Sequence, residues 1–291
     1  MSGYAVADAA TVSADAVPAC SLPGPAFDHP AQSLRPVTRT RDGERQSSLE
    51  CVAEEVPVAM VYNGISHAVM LATPADLEDF GLGFSLSEGI VRRRAEVLDI
   101  EVAGHEAGIE VRLQVSNRAF EALKLRRRTL AGRTGCGLCG VDSLAQVARE
   151  VAAVSARPQV SDAAIHRAFA SLSDAQPLHR LTGSVHAAGW AATDGTLLWV
   201  REDVGRHNAL DKLIGALLRS GRRPQDGFAL VTSRASFEMA QKAAMAGIPL
   251  LAAISAPTAL AVRLAQSAGL TLVGFARGQR HNVYAHPQRL G

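Results

Sequence analysis

The sequence predicts an α/β protein whose C-terminal half is built on a parallel sheet, preceded by a smaller α+β domain. From residue 228 onward, strand-like and helix-like segments alternate strictly: a strand at 228–232, a helix at 236–246 closed by Gly247, a strand at 249–254, a helix at 258–268 closed by Gly269, and a strand at 270–275. Such β-α-β-α-β units form parallel sheet with right-handed crossovers. Just upstream, Leu210, Leu213, Ile214, Leu217 and Leu218 repeat at i, i+3, i+4, i+7 and i+8 and stop at Gly221, so that helix packs one face on a sheet. Nearer the N-terminus, two β-branched runs at 56–62 and 65–72 flank Asn63-Gly64, the dipeptide that favours a type I′ hairpin turn. The chain accordingly divides into a tail at 1–35, an α+β domain at 36–130, a cysteine loop with its following helix at 131–160, and the α/β domain at 161–291.

The tail is Ala, Pro, Ser and Asp with almost no bulky apolar side chains. It cannot bury enough surface to offset its own ordering entropy, so disorder is expected to about Leu34. It lacks the basic start and apolar run of a signal peptide, and Asp8 and Asp15 argue against a transit peptide. After the hairpin, Thr73 and Pro74 read as N-cap and first residue of a helix reaching about Ser87, with Asp76 in its first turn. Leu77, Phe80, Gly81 and Phe84 mark its buried face, and Gly81 and Gly83 suggest that another helix packs closely there. Strands follow at 97–102 and 109–115, then a short helix at 118–125. Arg126, Arg127 and Arg128 are either a solvated face or an anion contact. Beyond the cysteine loop come a helix at 162–172 and strands at 185–192 and 196–200 joined by Asp194-Gly195. The second of these runs into Arg201, Glu202, Asp203, Arg206, His207 and Asn208. Of these, Arg201, Glu202, Asp203 and Arg206 either pair with one another, in a packing or capping role at a helix entrance, or contact a ligand.

At 291 residues, with 47% hydrophobic and 20% charged side chains, the chain can bury a sizeable core. A net charge of +2 gives no general reason to expect a nucleic-acid or membrane partner. The most apolar stretch, 248–262, is interrupted by Pro249 and Pro257 and does not suit a membrane span. Cys20, Cys51, Cys136 and Cys139 are too few and too unevenly placed for a secreted disulfide framework, which favours a reducing cytoplasm. Cys51 is expected to be a small buried side chain in a strand.

Cys136 and Cys139 lie among Gly135, Gly137 and Gly140, a composition that predicts a mobile loop able to present both thiols to one visitor. A helix is predicted over 141–154, with Leu144, Val147, Ala148 and Val151 at helical spacing. The thiols would thus precede a helix N-terminus, with Arg133 close in sequence, and both features favour thiolate over thiol. On spacing alone the pair suits half of a zinc site as well as a nucleophilic or redox pair. In the C-terminal sheet the segments after successive strands share one edge, where ligands of open α/β sheets bind. Arg234, Arg277 and Arg280 would gather there with the helix starts at Ser236 and Thr258. This setting suits a phosphorylated, nucleotide-bearing ligand although no Walker or Rossmann fingerprint is present.

The stretches 133–144, 202–213, 232–245 and 270–290, the last containing Asn282-Val283-Tyr284-Ala285-His286-Pro287, resemble the FdhD-type formate dehydrogenase accessory sulfurtransferases, as does 81–90. The likeness runs from about residue 36 to the C-terminus, and its one departure is Ser184 in Thr182-Gly183-Ser184, where a second glycine is usual. The resemblance implies a cytidine deaminase-like fold. It also implies a sulfurtransferase that takes persulfide sulfur from a cysteine desulfurase and passes it to the bis-molybdopterin guanine dinucleotide form of the molybdenum cofactor, before insertion into the formate dehydrogenase catalytic subunit. In that reading Cys136 carries the persulfide and Cys139 assists release or protects the loop. Phe275, Ala276, Arg277, Gly278, Gln279 and Arg280 line the site for the cofactor's guanine nucleotide. No metal is expected to be ligated by the protein itself, and a homodimer is plausible from the apolar surfaces. Two alternatives stand beside this one. A zinc deaminase would need H-x-E upstream of P-C-x-x-C, whereas His186 lies downstream, is followed by Ala187 and Ala188, and no proline precedes Cys136. A non-catalytic chaperone for the cofactor or for formate dehydrogenase would leave the cysteines incidental. His281 and His286 read as surface or edge features, with ligand contact as the alternative.

Overall fold

Two Asx-Gly dipeptides start the fold. At Asp42-Gly43 (φ 52° and 85°) and Asn63-Gly64 (φ 46° and 82°) both residues adopt the left-handed region that a type I′ turn requires. The first closes β1 (Gln32–Arg41) on β2 (Glu44–Ala53), and the second closes β3 (Val56–Tyr62) on β4 (Ile65–Ala72). The structure is a computed structural model describing residues 29–131 and 153–291. Cys20, Cys136, Cys139 and most of the helix predicted at 141–154 lie outside these residues. The β1–β2 ribbon differs from expectation, since Gln32, Ser33 and Leu34 belong to it rather than to the tail. Its faces are largely exposed and its sequence lacks apolar alternation, so only Asp42-Gly43 signals it. Cys51 sits buried in β2.

β3 pairs in parallel with β6 (Gly108–Val115), which pairs antiparallel with β5 (Val97–His105), giving a four-stranded sheet of order β4-β3-β6-β5. Against it lies α1 (Leu77–Ser87), with Phe80 and Leu82 fully buried, each contributing about 2–3 kcal/mol of apolar burial. The helix does not begin at Thr73 and Pro74 as predicted. Asp76, with φ 53°, is its N-cap. Thr73 is instead used by a buried link: its N–H donates to Asp203 Oδ2 at 3.1 Å and its hydroxyl accepts from the Val204 N–H at 3.2 Å. α2 (Asn117–Ala131) runs on past 125 and takes in positions 126–128.

The second half comprises α3 (Asp162–Asp174), α4 (Pro177–Thr182), β7 (His186–Ala192), β8 (Leu197–Asp203), α5 (Arg206–Ser220), β9 (Gly227–Val231), α6 (Phe237–Met245), β10 (Leu250–Ala253), α7 (Ala259–Ala268), β11 (Thr271–Arg277) and β12 (Arg280–Ala285). They form a six-stranded sheet of order β12-β11-β10-β9-β7-β8. β9, β10 and β11 are parallel, as the alternation predicts. β12, which was not predicted, returns antiparallel to β11. α3 covers one face of this sheet, packing Ile165, Ala168 and Leu172 on Phe228, Leu230 and Val273. The other face shares one continuous apolar core with α5, α6, α1 and the four-stranded sheet.

α1 and α5 cross at contact distance. A Cβ on Gly83 would fall 1.7 Å from the Asp211 carbonyl oxygen, and one on Gly215 would fall 1.9 Å from that of Asp79. The reciprocal register, 79 with 215 and 83 with 211, means that the helices run in opposite senses at the crossing. Gly83 thus meets a helix as expected, but Gly81 faces the sheet, where a Cβ would sit 2.5 Å from Val111 Cγ1. Gly83→Ala is expected to destabilise the protein by about 3 kcal/mol or more, because backbone cannot yield as a side chain does. Urea unfolding of both forms measures this.

Candidate functional site

Because β9, β10 and β11 are parallel, their C-terminal ends open on one edge, and the loops there continue the pairing. The Ile254 N–H donates to Val231 O at 3.0 Å, the Thr258 N–H to Ala235 O at 3.0 Å, and the Phe275 N–H to Ser255 O at 3.2 Å. At this last point the β11–β12 ladder slips between Gly274 and Arg277. Phe275 takes φ 54°, a conformation rarely adopted by a bulky residue, and its ring is 43% exposed. Gly274 allows the bulge to lie close to its neighbours, since a Cβ there would fall 2.8 Å from Pro257 Cδ.

Phe275, Arg277, Arg280, His281 and Asn282 line a hollow of about 490 Å³. Arg277 is held at its wall by an Nε–H bond of 2.9 Å to Ile254 O. Of the six residues predicted for a nucleotide site, Phe275, Arg277 and Arg280 therefore share one hollow. Ala276 is buried beneath it, while Gly278 (φ 56°) and Gln279 make the exposed turn. Arg234 is exposed on the loop after β9. Thr258 Oγ1 caps α7 by accepting from the Ala261 N–H at 3.3 Å, whereas the Ser236 hydroxyl makes no cap bond.

A second crevice of about 480 Å³ opens on the same edge, between the α3–α4 segment and the ends of β7, β9 and β10. Its walls include Phe169, His179, His186, Thr232 and Ile254. Burial, helped by Arg206 and His179, holds the His186 imidazole below its ordinary 6.5. Arg277 bonds the carbonyl of Ile254, so the two hollows adjoin.

The polar run at 201–208 is largely structural, but Arg201, Glu202 and Asp203 do not pair with one another. Arg201 reaches α1, bonding Asp79 Oδ2 through Nε (2.9 Å) and Nη2 (2.7 Å). Glu202 accepts from the N–H groups of Leu178 (2.9 Å) and His179 (2.8 Å) at the start of α4. Asp203 and Lys212 form a fully buried pair at 2.6 Å, and Lys212 Nζ also donates to Thr73 O at 2.9 Å. Asn208 Nδ2 donates both to Asp203 Oδ1 (3.0 Å) and to Leu71 O (2.8 Å). His207 differs: its Nε2 lies 2.7 Å from Glu238 on α6. A second buried pair was missed from the sequence. Lys242 on α6 donates to Asp211 (2.8 Å), Ser87 Oγ (3.0 Å) and Glu88 (2.9 Å). Its only sequence signal is a cation at position 242 in the Ala-rich helix 239–244.

Burial holds His186, His207 and His281 below their ordinary 6.5. In each case the unfolded chain takes a proton before the folded one. Their contribution to stability is therefore complete above pH 6.5 and is lost as pH falls toward their folded values. The melting temperature is expected to fall on acidification from neutrality to about pH 5, and calorimetric scans across that range check it.

The profile of the FdhD/NarQ family matches residues 53–291. The sulfur carrier protein FdhD of Cupriavidus necator is 60% identical over 261 residues, covering 90% of this chain and 91% of its own. That of Variovorax paradoxus is 54% identical over 257 residues, covering 88% and 92%. Among solved structures, a protein of Desulfotalea psychrophila provisionally assigned as a formate dehydrogenase accessory protein superposes with a TM-score of 0.72 at 26% identity, over 90% of this chain and all of its own. With the family's profile spanning most of its length and relatives of this similarity, the chain belongs to the FdhD/NarQ family.

Proposed function

We propose that this protein is a sulfur carrier for formate dehydrogenase maturation, with Cys136 as the sulfur-bearing residue. The observation that carries the reading is the 60% identity, over nine-tenths of the chain, to a protein named a sulfur carrier. The Cys136 thiolate attacks the outer sulfur of a persulfide on a cysteine desulfurase. A new S–S bond forms at Cys136, the donor's S–S bond breaks, and the donor cysteine leaves as thiolate. The bis-molybdopterin guanine dinucleotide acceptor then supplies the electron pair for a new bond to the outer sulfur, the S–S bond at Cys136 breaks, and Cys136 leaves as thiolate. Cys139 assists release or protects the loop. Partners in this scheme are the desulfurase, the formate dehydrogenase catalytic subunit and, in a homodimer, a second copy of the chain.

The acceptor's guanine nucleotide is assigned to the rim at Phe275, Ala276, Arg277, Gly278, Gln279 and Arg280. In support, Phe275 presents an exposed ring for stacking on a base, and Arg277 and Arg280 offer two guanidinium groups to phosphate from one hollow. These groups are set on a backbone tied to the neighbouring strand ends, so little ordering is needed on binding.

After incubation with a desulfurase and cysteine, the intact mass should rise by one sulfur that a reductant removes, and Cys136→Ala should neither gain it nor support formate dehydrogenase maturation. Normal maturation by that variant would end the carrier reading. Replacing Arg277 and Arg280 together by alanine should abolish guanosine diphosphate binding in calorimetry while leaving the melting temperature within a few degrees, since both are exposed. Unchanged affinity would refute the placement of the nucleotide.

A further inference from the structure

α3 brings a second set of polar groups to the rim. His166 Nε2 lies 3.0 Å from His281 Nδ1, with ring centroids 5.1 Å apart and planes inclined at 59°. The other nitrogen of His281, Nε2, is 3.2 Å from Asp162 Oδ1. The His281 side chain is only 7% exposed, and it lines the same hollow as Arg277 and Arg280.

The chemistry of this chain is restrictive. Asp162 can only accept while ionised, so His281 carries its hydrogen on Nε2 and its lone pair on Nδ1. His166 then donates from Nε2, leaving its own Nδ1 as the open basic position. Two imidazoles so joined hold one additional proton and no more, since a second would set two N–H groups against each other. The added proton enters at His166 Nδ1. The bridging hydrogen then moves onto His281 Nδ1, which places the positive charge on the rim, between Asp162 and the hollow. A contact that served only to pack α3 on β12 would need none of this.

Burial of the His281 ring and the neighbouring His166 oppose that proton, while Asp162 from α3 favours it. A phosphate seated on Arg277 and Arg280, which line the same hollow as His281, would add its own attraction for the proton. We propose that the His166–His281 pair is part of the anion site and takes up one proton from solvent as a phosphate-bearing ligand seats on Arg277 and Arg280. The proposal rests on the assignment of this rim to a nucleotide. Its consequence is proton-linked binding. Affinity rises as pH falls, by up to about tenfold per pH unit, across the interval between the pair's pKa in the empty site and its higher value in the complex.

The test is calorimetric titration of the full chain with guanosine diphosphate near neutral pH in two buffers of different ionisation enthalpy, repeated with His166→Gln. The nucleotide's own phosphate titrates in the same range, so the quantity read is the difference between the two proteins. The native chain is expected to take up more protons per ligand than the variant, by a sizeable fraction of one, and to show the steeper dependence of affinity on pH. If His166→Gln does not fold, Asp162→Asn replaces it. Asp162 is largely exposed, and loss of its carboxylate should displace the steep interval to lower pH. Equal proton uptake and equal slopes in native and variant protein, with binding still dependent on Arg277 and Arg280, would overturn the proposal and leave the nucleotide site standing. Absence of guanosine diphosphate binding to the native chain at every pH would overturn both.

Discussion

The crossing of α1 and α5 is the constraint on which the rest of the molecule depends. Gly83 and Gly215 let the two backbones touch, and charged links on either side fix where they do so. Asp79 takes Arg201 and Arg219, Asp211 takes Lys242, and Thr73 is held by Asp203 and Lys212. Phe80 and Phe84, one turn apart on α1, lie beneath the ammonium groups of Lys212 and Lys242 at 5.9 and 5.5 Å. Buried pairs of this kind add little net stability, because desolvation offsets most of their attraction. Breaking one is costly, however, so they penalise any other register. An apolar interface alone would let α1 slide by a turn; the glycine contact and the charges together leave one docked position.

That position is transmitted to the rim through the sheet. α5 and α6 pack on the face of β7, β9 and β10, and the strand ends are then tied to one another by loop hydrogen bonds. The left-handed Phe275 costs on the order of 1–3 kcal/mol. It persists because the residues around it are paired: its N–H on Ser255, Arg277 on Ile254, and β12 along the far side of β11. Strain held in place by a finished ladder suits a residue whose side chain must stand out of the sheet instead of packing into it.

Much of this was legible in the sequence, for identifiable reasons. The strands at 227–231 and 271–277 announce themselves as short apolar runs because both their faces are covered; the helix at 206–220 shows its leucine period but is buried all round over 208–217 and not on one face as expected; and Asn63-Gly64 fixed its hairpin through backbone geometry alone. The ribbon β1–β2 was not legible because both its faces are largely exposed. The start of α1 was misplaced because Thr73 looks like a cap but spends its groups on Asp203 and Val204, about 130 residues away in the chain. No local pattern can report a partner at that separation. The roles of Arg201, Glu202 and Asp203 failed the same way. Proximity in sequence suggested mutual pairing, whereas each serves a different distant element. The rim was located from the parallel topology, but His281 was read first as a surface or edge feature, since its link to His166 joins a helix and a strand 115 residues apart.

Chain connectivity limits how sulfur could reach this rim in the proposed carrier. Cys136 follows Ala131, the last residue of α2, by five positions, so whatever path the intervening residues take it stays within about 17 Å of that helix end. α2 is itself anchored, with Ala119 and Leu123 buried in the shared core. On the other side the chain is fastened again where the Val154 N–H donates to Ala268 O at 2.8 Å. The described chain on either side of the cysteine segment is thus fastened, at α2 in the shared core and at Val154 in a separate small cluster with Ala244 and Ala268. In the proposed scheme a donor would load the sulfur within that reach of the α2 end. In that scheme the span between the α2 end and the rim, which the docking of α1 and α5 sets, is what the tether has to cover.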